Sequence, residues 1–281
     1  MSTAAPLLSR EALAQLGALV ARVAARDILP RFGHLQQHQI HAKTSAFDLV
    51  TEADEAAEAA ITAWLAEAYP QALVVGEEAT ARQPQLLAAL GQAELAFVVD
   101  PLDGTKNFAS GLPLFGVMVA VVARAQVVGA VIHDPVTQTT AYALKGGGAW
   151  MEDAQGVRTP LHVAAPVPLQ EIQGIAGTNF LPEPLRSTVN GNLSKLSVTN
   201  WFRCAAHEYR LAAAGHCHIL FYNRLMPWDH AAGWLLHREA GGYSAHFDGT
   251  PYSPAHTTGG LLCAPTEACW HEVRDALFAS R

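Results

Sequence analysis

Leu95-Ala96-Phe97-Val98-Val99, closed by Asp100, constrains the fold more than any other stretch of this chain. An unbroken apolar run of strand length predicts a strand covered on both faces, whereas a sheet with one wet face would alternate there. The chain must therefore stack layers on either side of a sheet. Half of the 281 residues are hydrophobic and 15% are charged, which supplies the core such layers need and excludes bulk disorder.

Around that strand, helices and further strands mix. Ser9 can cap a helix carrying Leu13, Leu16, Val20 and Val23 at helical spacing, with Pro30 marking its end. A second helix is expected from Thr51 to about Tyr69, stopped by Pro70. Val117 to Ala123, Val127 to His133 and Thr139 to Leu144 read as an antiparallel meander, with Gly146 to Gly148 as a turn. Leu161 to Leu196 is rich in proline and short elements and suggests a second subdomain. Helices are expected at Ala205 to Ala214, Asp229 to Ala240 and Thr266 to Ser280, and a strand at Cys217 to Tyr222. Without strict alternation of strand and helix, layered sheets and helices are expected rather than a barrel.

The net charge of −7 argues against a nucleic-acid polymer as partner. No apolar run approaches the ~20 residues of a membrane helix. The opening MSTAAPLLSREALAQ does not read as a secretory signal. Four cysteines (Cys204, Cys217, Cys263, Cys269) contain no C-x-x-C pair, so a reducing cytoplasm is the expected location.

Chemistry is concentrated in Asp100-Pro101-Leu102-Asp103-Gly104-Thr105. Two carboxylates and the Leu102 carbonyl could turn toward one point, and hard oxygen ligands of this kind suit Mg²⁺. The bland alternative is a strand-ending turn with a positive φ at Gly104. Glu77 and Glu78 follow Leu73-Val74-Val75-Gly76 at another strand end, and Asp229 opens a helix, where an acid is ordinary capping. Thr51-x-x-Asp54 fits a capping box with Asp in the Glu position. His216-Cys217-His218 could set two imidazoles on one strand face, but no third ligand stands at a zinc spacing. His230 and His237 read as packing or surface groups.

Taken together, these segments resemble the inositol monophosphatase family. The resemblance rests on Val99-Asp100-Pro101-Leu102-Asp103-Gly104-Thr105-Lys106-Asn107-Phe108, and on Trp228-Asp229-His230-Ala231-Ala232-Gly233 continuing through Glu239-Ala240-Gly241-Gly242. Lys43, Asp48-Leu49-Val50-Thr51 with Asp54, and Gly76-Glu77-Glu78 match two upstream blocks in the right order. The resemblance implies an α/β (α+β) layered α-β-α-β-α sandwich of the inositol monophosphatase and fructose-1,6-bisphosphatase type. Residues 1–281 would form a single catalytic unit, with possible subdomains at 1–150 and 151–281.

It also implies a Mg²⁺-dependent, lithium-sensitive phosphomonoesterase, a homodimer acting on a small phosphorylated metabolite. Glu77, Asp100, the Leu102 carbonyl, Asp103 and Asp229 would hold two or three Mg²⁺. Asp54, Thr105 and Glu77 would be catalytic, with Thr105, held by Asp54, orienting a water for in-line attack. Substrate would meet Lys43, Asp103, Gly104, Thr105, Arg203, Cys204, Ala205, Tyr222 and Asp229, with the Gly104 and Thr105 amides on phosphate. A haloacid-dehalogenase-type phosphatase would need a D-x-D spacing, and here the acids stand one residue further apart.

The family's inositol-specific members carry a glutamate seven residues before the Asp of the last motif, where this chain has Tyr222. Their small segment near the ring reads Arg203-Cys204-Ala205-Ala206 here. Inositol monophosphate is therefore not expected to be the best substrate. Nucleoside 3′(2′),5′-bisphosphates and histidinol phosphate are the alternatives, and Arg203 either meets a second acidic group or forms a structural ion pair. An alternative of a different class is a metal-binding regulatory protein without turnover.

Overall fold

Ser9 opens the first helix as the spacing predicts, its Oγ accepting the Ala12 amide at 3.0 Å. The computed structural model describes residues 8–34, 40–45 and 48–279, with side chains described outside 40–49. Helix α1 (Arg10–Val23) runs on through two short helical turns to Arg31, past Pro30. The hairpin β1 (Ile40–Ser45) and β2 (Asp48–Thr51) leads into α2 (Glu52–Ala68). The role expected of the Lys43 side chain lies outside the described residues.

A seven-stranded sheet follows, in the order β3 (Leu73–Gly76), β4 (Leu95–Asp103), β5 (Gly116–Ala123), β6 (Gln126–Asp134), β7 (Thr139–Leu144), β8 (Gly148–Glu152) and β9 (Arg158–Pro160). β3 and β4 are parallel, and every later pairing is antiparallel, which is the expected meander with two strands added. Helices α3 (Glu77–Arg82) and α4 (Gln85–Ala89) join β3 to β4, and α5 (Thr105–Ala109) follows β4. A second sheet has the order β11 (Val198–Asn200), β10 (Gln173–Ala176), β12 (Ile219–Tyr222), β14 (Leu261–Ala264) and β13 (Tyr243–Ala245). Its first three strands are mutually parallel. Helices α6 (Leu185–Asn192), α7 (Ala205–Ala213), α8 (Pro227–Glu239) and α9 (Glu267–Phe278) complete the chain.

Strand periodicity builds the layers. Phe97, Val99, Val117, Val119 and Val121 face Leu13, Val20, Ile61 and Leu65 of α1 and α2. Their neighbours Val98, Met118, Ala120 and Val122 point the other way, into a core shared with Tyr209 of α7, Leu235 and Leu236 of α8, and Leu220 of the second sheet. On the far side of that sheet, Ile219, Phe221 and Leu262 pack on Val189 of α6 and on Trp270 and Val273 of α9. The result is an α-β-α-β-α stack in which β5 is buried along its whole length.

Candidate active site

β4 does not stop at Val99 as the sequence suggests; it runs on to Asp103. Pro101 is accommodated because the ladder to β5 slips between Asp100 and Asp103, a bulge that leaves it out of the pairing. The Leu102 amide then donates to Asp100 Oδ1 at 3.0 Å. Gly104 has φ +86°, and a Cβ there would stand 2.8 Å from the Leu114 carbonyl, so the tight turn and the acidic cluster are one structure.

The turn delivers Thr105 to Asp54. Thr105 Oγ1 lies 3.0 Å from Asp54 Oδ1 and 2.9 Å from the Leu102 carbonyl. Asp54 Oδ2 accepts the Thr51 amide and hydroxyl at 2.8 and 2.6 Å, so the expected capping box is present and also holds this carboxyl still. Burial raises the Asp54 pKa to about 7, against the lowering effect of the Thr51 bond, and Glu77 raises it further.

Glu77 is positioned by a residue that spacing alone did not single out. Glu58 of α2 accepts the Glu78 and Ala79 amides at 2.7 Å each, capping α3, which has no side-chain cap of its own. A Cβ on Gly76 would lie 2.4 Å from the Glu58 carboxyl, so only glycine leaves room for this cap. The signal was there: Glu58 falls on the buried face of α2 with Asp54, Ala57, Ile61 and Leu65.

Asp229 is not the helix cap that its position suggests. α8 begins at Pro227, Met226 is the N-cap, and Asp229 is the third residue of the first turn, close enough to Asp100 for the two carboxyls to share a hydrogen bond. Asp103 Oδ2 accepts the Ala206 amide at 2.5 Å and the Cys204 thiol at 3.1 Å, so Cys204 serves Asp103 besides lining the cavity. Burial, then Glu77 and the neighbouring aspartates, raise the pKa values of Asp100 and Asp229 well above the ordinary carboxylate range. Asp103 rises to about 6, chiefly through burial. Among the described residues no group of three or more His, Cys, Asp or Glu stands in the arrangement that holds a metal ion. Mutually repelling oxygen donors at one end of a cavity nonetheless fit a divalent cation such as Mg²⁺ in charge and in ligand type.

These groups open on a cavity of about 550 Å³ that also receives Gly104, Arg203, Ala205 and Tyr222. The Tyr222 ring packs between Tyr209 and His230, with centroids 5.2 and 4.6 Å away. Among the described residues its buried hydroxyl makes no hydrogen bond of ordinary geometry, yet it lies near enough to Glu208 for each to shift the other's proton affinity. Glu208 belongs to no motif of the sequence; its one signal is its place on the buried stripe of α7 with Ala205, Tyr209 and Ala212. Arg203 forms no ion pair among the described residues. His230 is packing, not surface: Nε2 lies 2.9 Å from the Arg224 carbonyl, and burial lowers its pKa to about 4. His237 is equally buried, and His218 Nδ1 accepts the Gln173 amide at 3.1 Å.

The model of the inositol monophosphatase family matches residues 10–279. The chain belongs to that family. An inositol-1-monophosphatase of Mesorhizobium japonicum is 33% identical over 252 residues, covering 86% of this chain and 88% of that protein. The Nus factor SuhB of Escherichia coli K12 is 34% identical over 209 residues, covering 72% and 73%. The solved extragenic suppressor protein suhB from Bartonella henselae superposes with a TM-score of 0.79 at 27% identity, over 95% of this chain and 97% of that one. The five-layer stack is accordingly the family fold.

Proposed function

We propose that the chain is a Mg²⁺-dependent phosphomonoesterase that cleaves a small phosphorylated metabolite by in-line attack of water. One observation carries this reading: Thr105 Oγ1 is held between Asp54 Oδ1 and the Leu102 carbonyl, at the edge of the aspartate cluster. Bound by Glu77, Asp100, Asp103, Asp229 and the Leu102 carbonyl, Mg²⁺ would neutralise these acids, draw charge from the phosphoryl oxygens and make water more acidic. Thr105 orients the attacking water, and Asp54, with a pKa of about 7, is suited to take up a proton near neutrality. Glu77 would serve as a metal ligand beside Asp54, whose proton affinity its charge raises only while no cation is bound. The inositol-1-monophosphatase name of the Mesorhizobium relative supports phosphatase chemistry.

The substrate is not a bare polyol phosphate, because Tyr222, its hydroxyl buried, stands where a carboxylate would offer two acceptors. Nucleoside bisphosphates and histidinol phosphate are the candidates. The Nus factor name of the SuhB relative favours a second reading, a binding role without turnover; a passive site would have no use for the Asp54–Thr105 contact. Phosphate release from a panel of phosphomonoesters decides between them. Release should need Mg²⁺ and be abolished by Asp100→Asn; turnover in excess chelator would overturn the assignment. A homodimer and inhibition by lithium belong to the same reading, checked by light scattering and by titrating Li⁺ into the assay.

A further inference from the structure

Charge divides the wall of this cavity. Its acids are buried or half-buried, while Arg186, Arg203 and Arg224 stand exposed at the rim. The three arginines lie in segments that follow β10, β11 and β12, the three mutually parallel strands of the second sheet. Open α/β sheets take ligands just outside the carboxyl ends of such strands. Arg186 is paired with Glu183 at 2.8 Å. Arg203 has no hydrogen bond or ion pair among the described residues, and Arg224 lies 5.6 Å over the Phe180 ring.

Arg203 is held in place by its neighbours. Its φ of +57° is left-handed backbone, which a residue with a Cβ adopts under strain. The Phe202 amide donates to Glu208 Oε1 at 3.0 Å, and the Phe202 carbonyl accepts from Asn107 Nδ2 at 2.8 Å. Glu208 and Asn107 are 1% and 0% exposed. On the other side, Cys204 gives its thiol to Asp103. Buried groups thus pin both neighbours and leave the arginine exposed on the cavity rim. Strain of this kind persists only where the surroundings over-determine it, and it clusters at positions that handle ligands.

We propose that Arg203, with Arg224 on the same rim, forms a second anion subsite, so that the preferred substrate is a phosphomonoester whose organic part carries a further phosphate or carboxylate. This rests on the phosphatase reading. The guanidinium fork suits either group. Phe180 and Trp201, 59% and 45% exposed, also border the cavity, and a flat ring can lie against them.

Two matched pairs of esters test it. Phenyl phosphate is compared with 4-carboxyphenyl phosphate, and adenosine 3′-monophosphate with adenosine 3′,5′-bisphosphate. The member with the second anion should have a kcat/KM roughly tenfold higher or more, mainly through KM. The pair that shows the preference tells whether the subsite takes carboxylate or phosphate. Arg203→Ala should bring that ratio to about one, and Arg203→Lys should keep part of it. A ratio near one in the wild type for both pairs, or one that survives Arg203→Ala, would overturn the proposal. Turnover of none of the four would instead remove the phosphatase reading, and this subsite with it. Arg203→Gly should melt higher than Arg203→Ala, since glycine accepts the left-handed backbone; an equal or lower Tm would show that Arg203 is not held under strain.

Discussion

Thr105 has one hydroxyl proton and two acceptors, Asp54 Oδ1 and the Leu102 carbonyl. When Asp54 is ionised, the proton can serve only one of them; when Asp54 is protonated, it can donate to Thr105 while Thr105 donates to Leu102. A pKa of about 7 puts that exchange near neutrality. Thr105→Ala and Asp54→Asn should each lower kcat by roughly 100-fold or more, the scale of a lost proton-transfer group. The double variant should lose little beyond either single one; losses that multiply would mean the two residues act separately. Glu208 makes a different prediction. Burial raises its pKa to about 7 from the ordinary 4.5, so between those values the folded chain keeps a proton that the unfolded chain releases. Its stabilising contribution is full below about pH 4.5 and is lost as pH rises through about 7. Glu208→Gln keeps an acceptor for the Phe202 amide. Its Tm in the metal-free protein should gain on that of the wild type from about pH 5 to pH 8; a constant difference would show that Glu208 is not protonated in the fold.

At the scale of the element, α3 is six residues long and depends on a carboxyl from α2 for its cap. Gly76→Ala would drive a methyl group into Glu58. Displacing the cap and overpacking the site should together destabilise the protein by about 1–3 kcal/mol. Glu77, the first residue of α3, should shift with it, so Mg²⁺ should bind more weakly in calorimetry. A variant with the Tm and Mg²⁺ affinity of the wild type would remove Glu58 from the positioning of the site.

The whole molecule gathers its acids from separate elements: Asp54 from α2, Glu77 from α3, Asp100 and Asp103 from β4, and Asp229 from α8. Packing those elements together forces the charges together, and the repulsion opposes folding until a cation relieves it. Mg²⁺ should therefore stabilise the folded protein, by about 2.7 kcal/mol at a hundred times its Kd. Asp100→Asn should reverse the ranking. Without metal it should melt above the wild type near neutral pH, and with Mg²⁺ it should gain little. A wild-type Tm indifferent to Mg²⁺ would refute the assigned ligands.

Whatever depends on neighbours along the chain was legible beforehand. Ser9 and the Thr51–Asp54 box announced two helices, and the meander from β5 to β7 showed in its apolar runs, because caps and periodicity act over a few residues. Four short blocks also carried the family resemblance. Other features were set by residues far away in sequence. Asp-Pro-Leu-Asp reads as a break, yet it continues β4, because β5 pairs on both sides of a bulge. Asp229 reads as a cap, yet from the first turn of α8 it meets Asp100. Glu58 and Glu208 look like ordinary helix acids until amides from other segments, Glu78 and Ala79 for one and Phe202 for the other, meet them in the interior. The strain at Arg203 depends in part on Asn107, 95 residues before Phe202. A buried charge or a strained backbone is stable only with partners supplied by the packed fold, so tertiary structure alone decided where these groups stand.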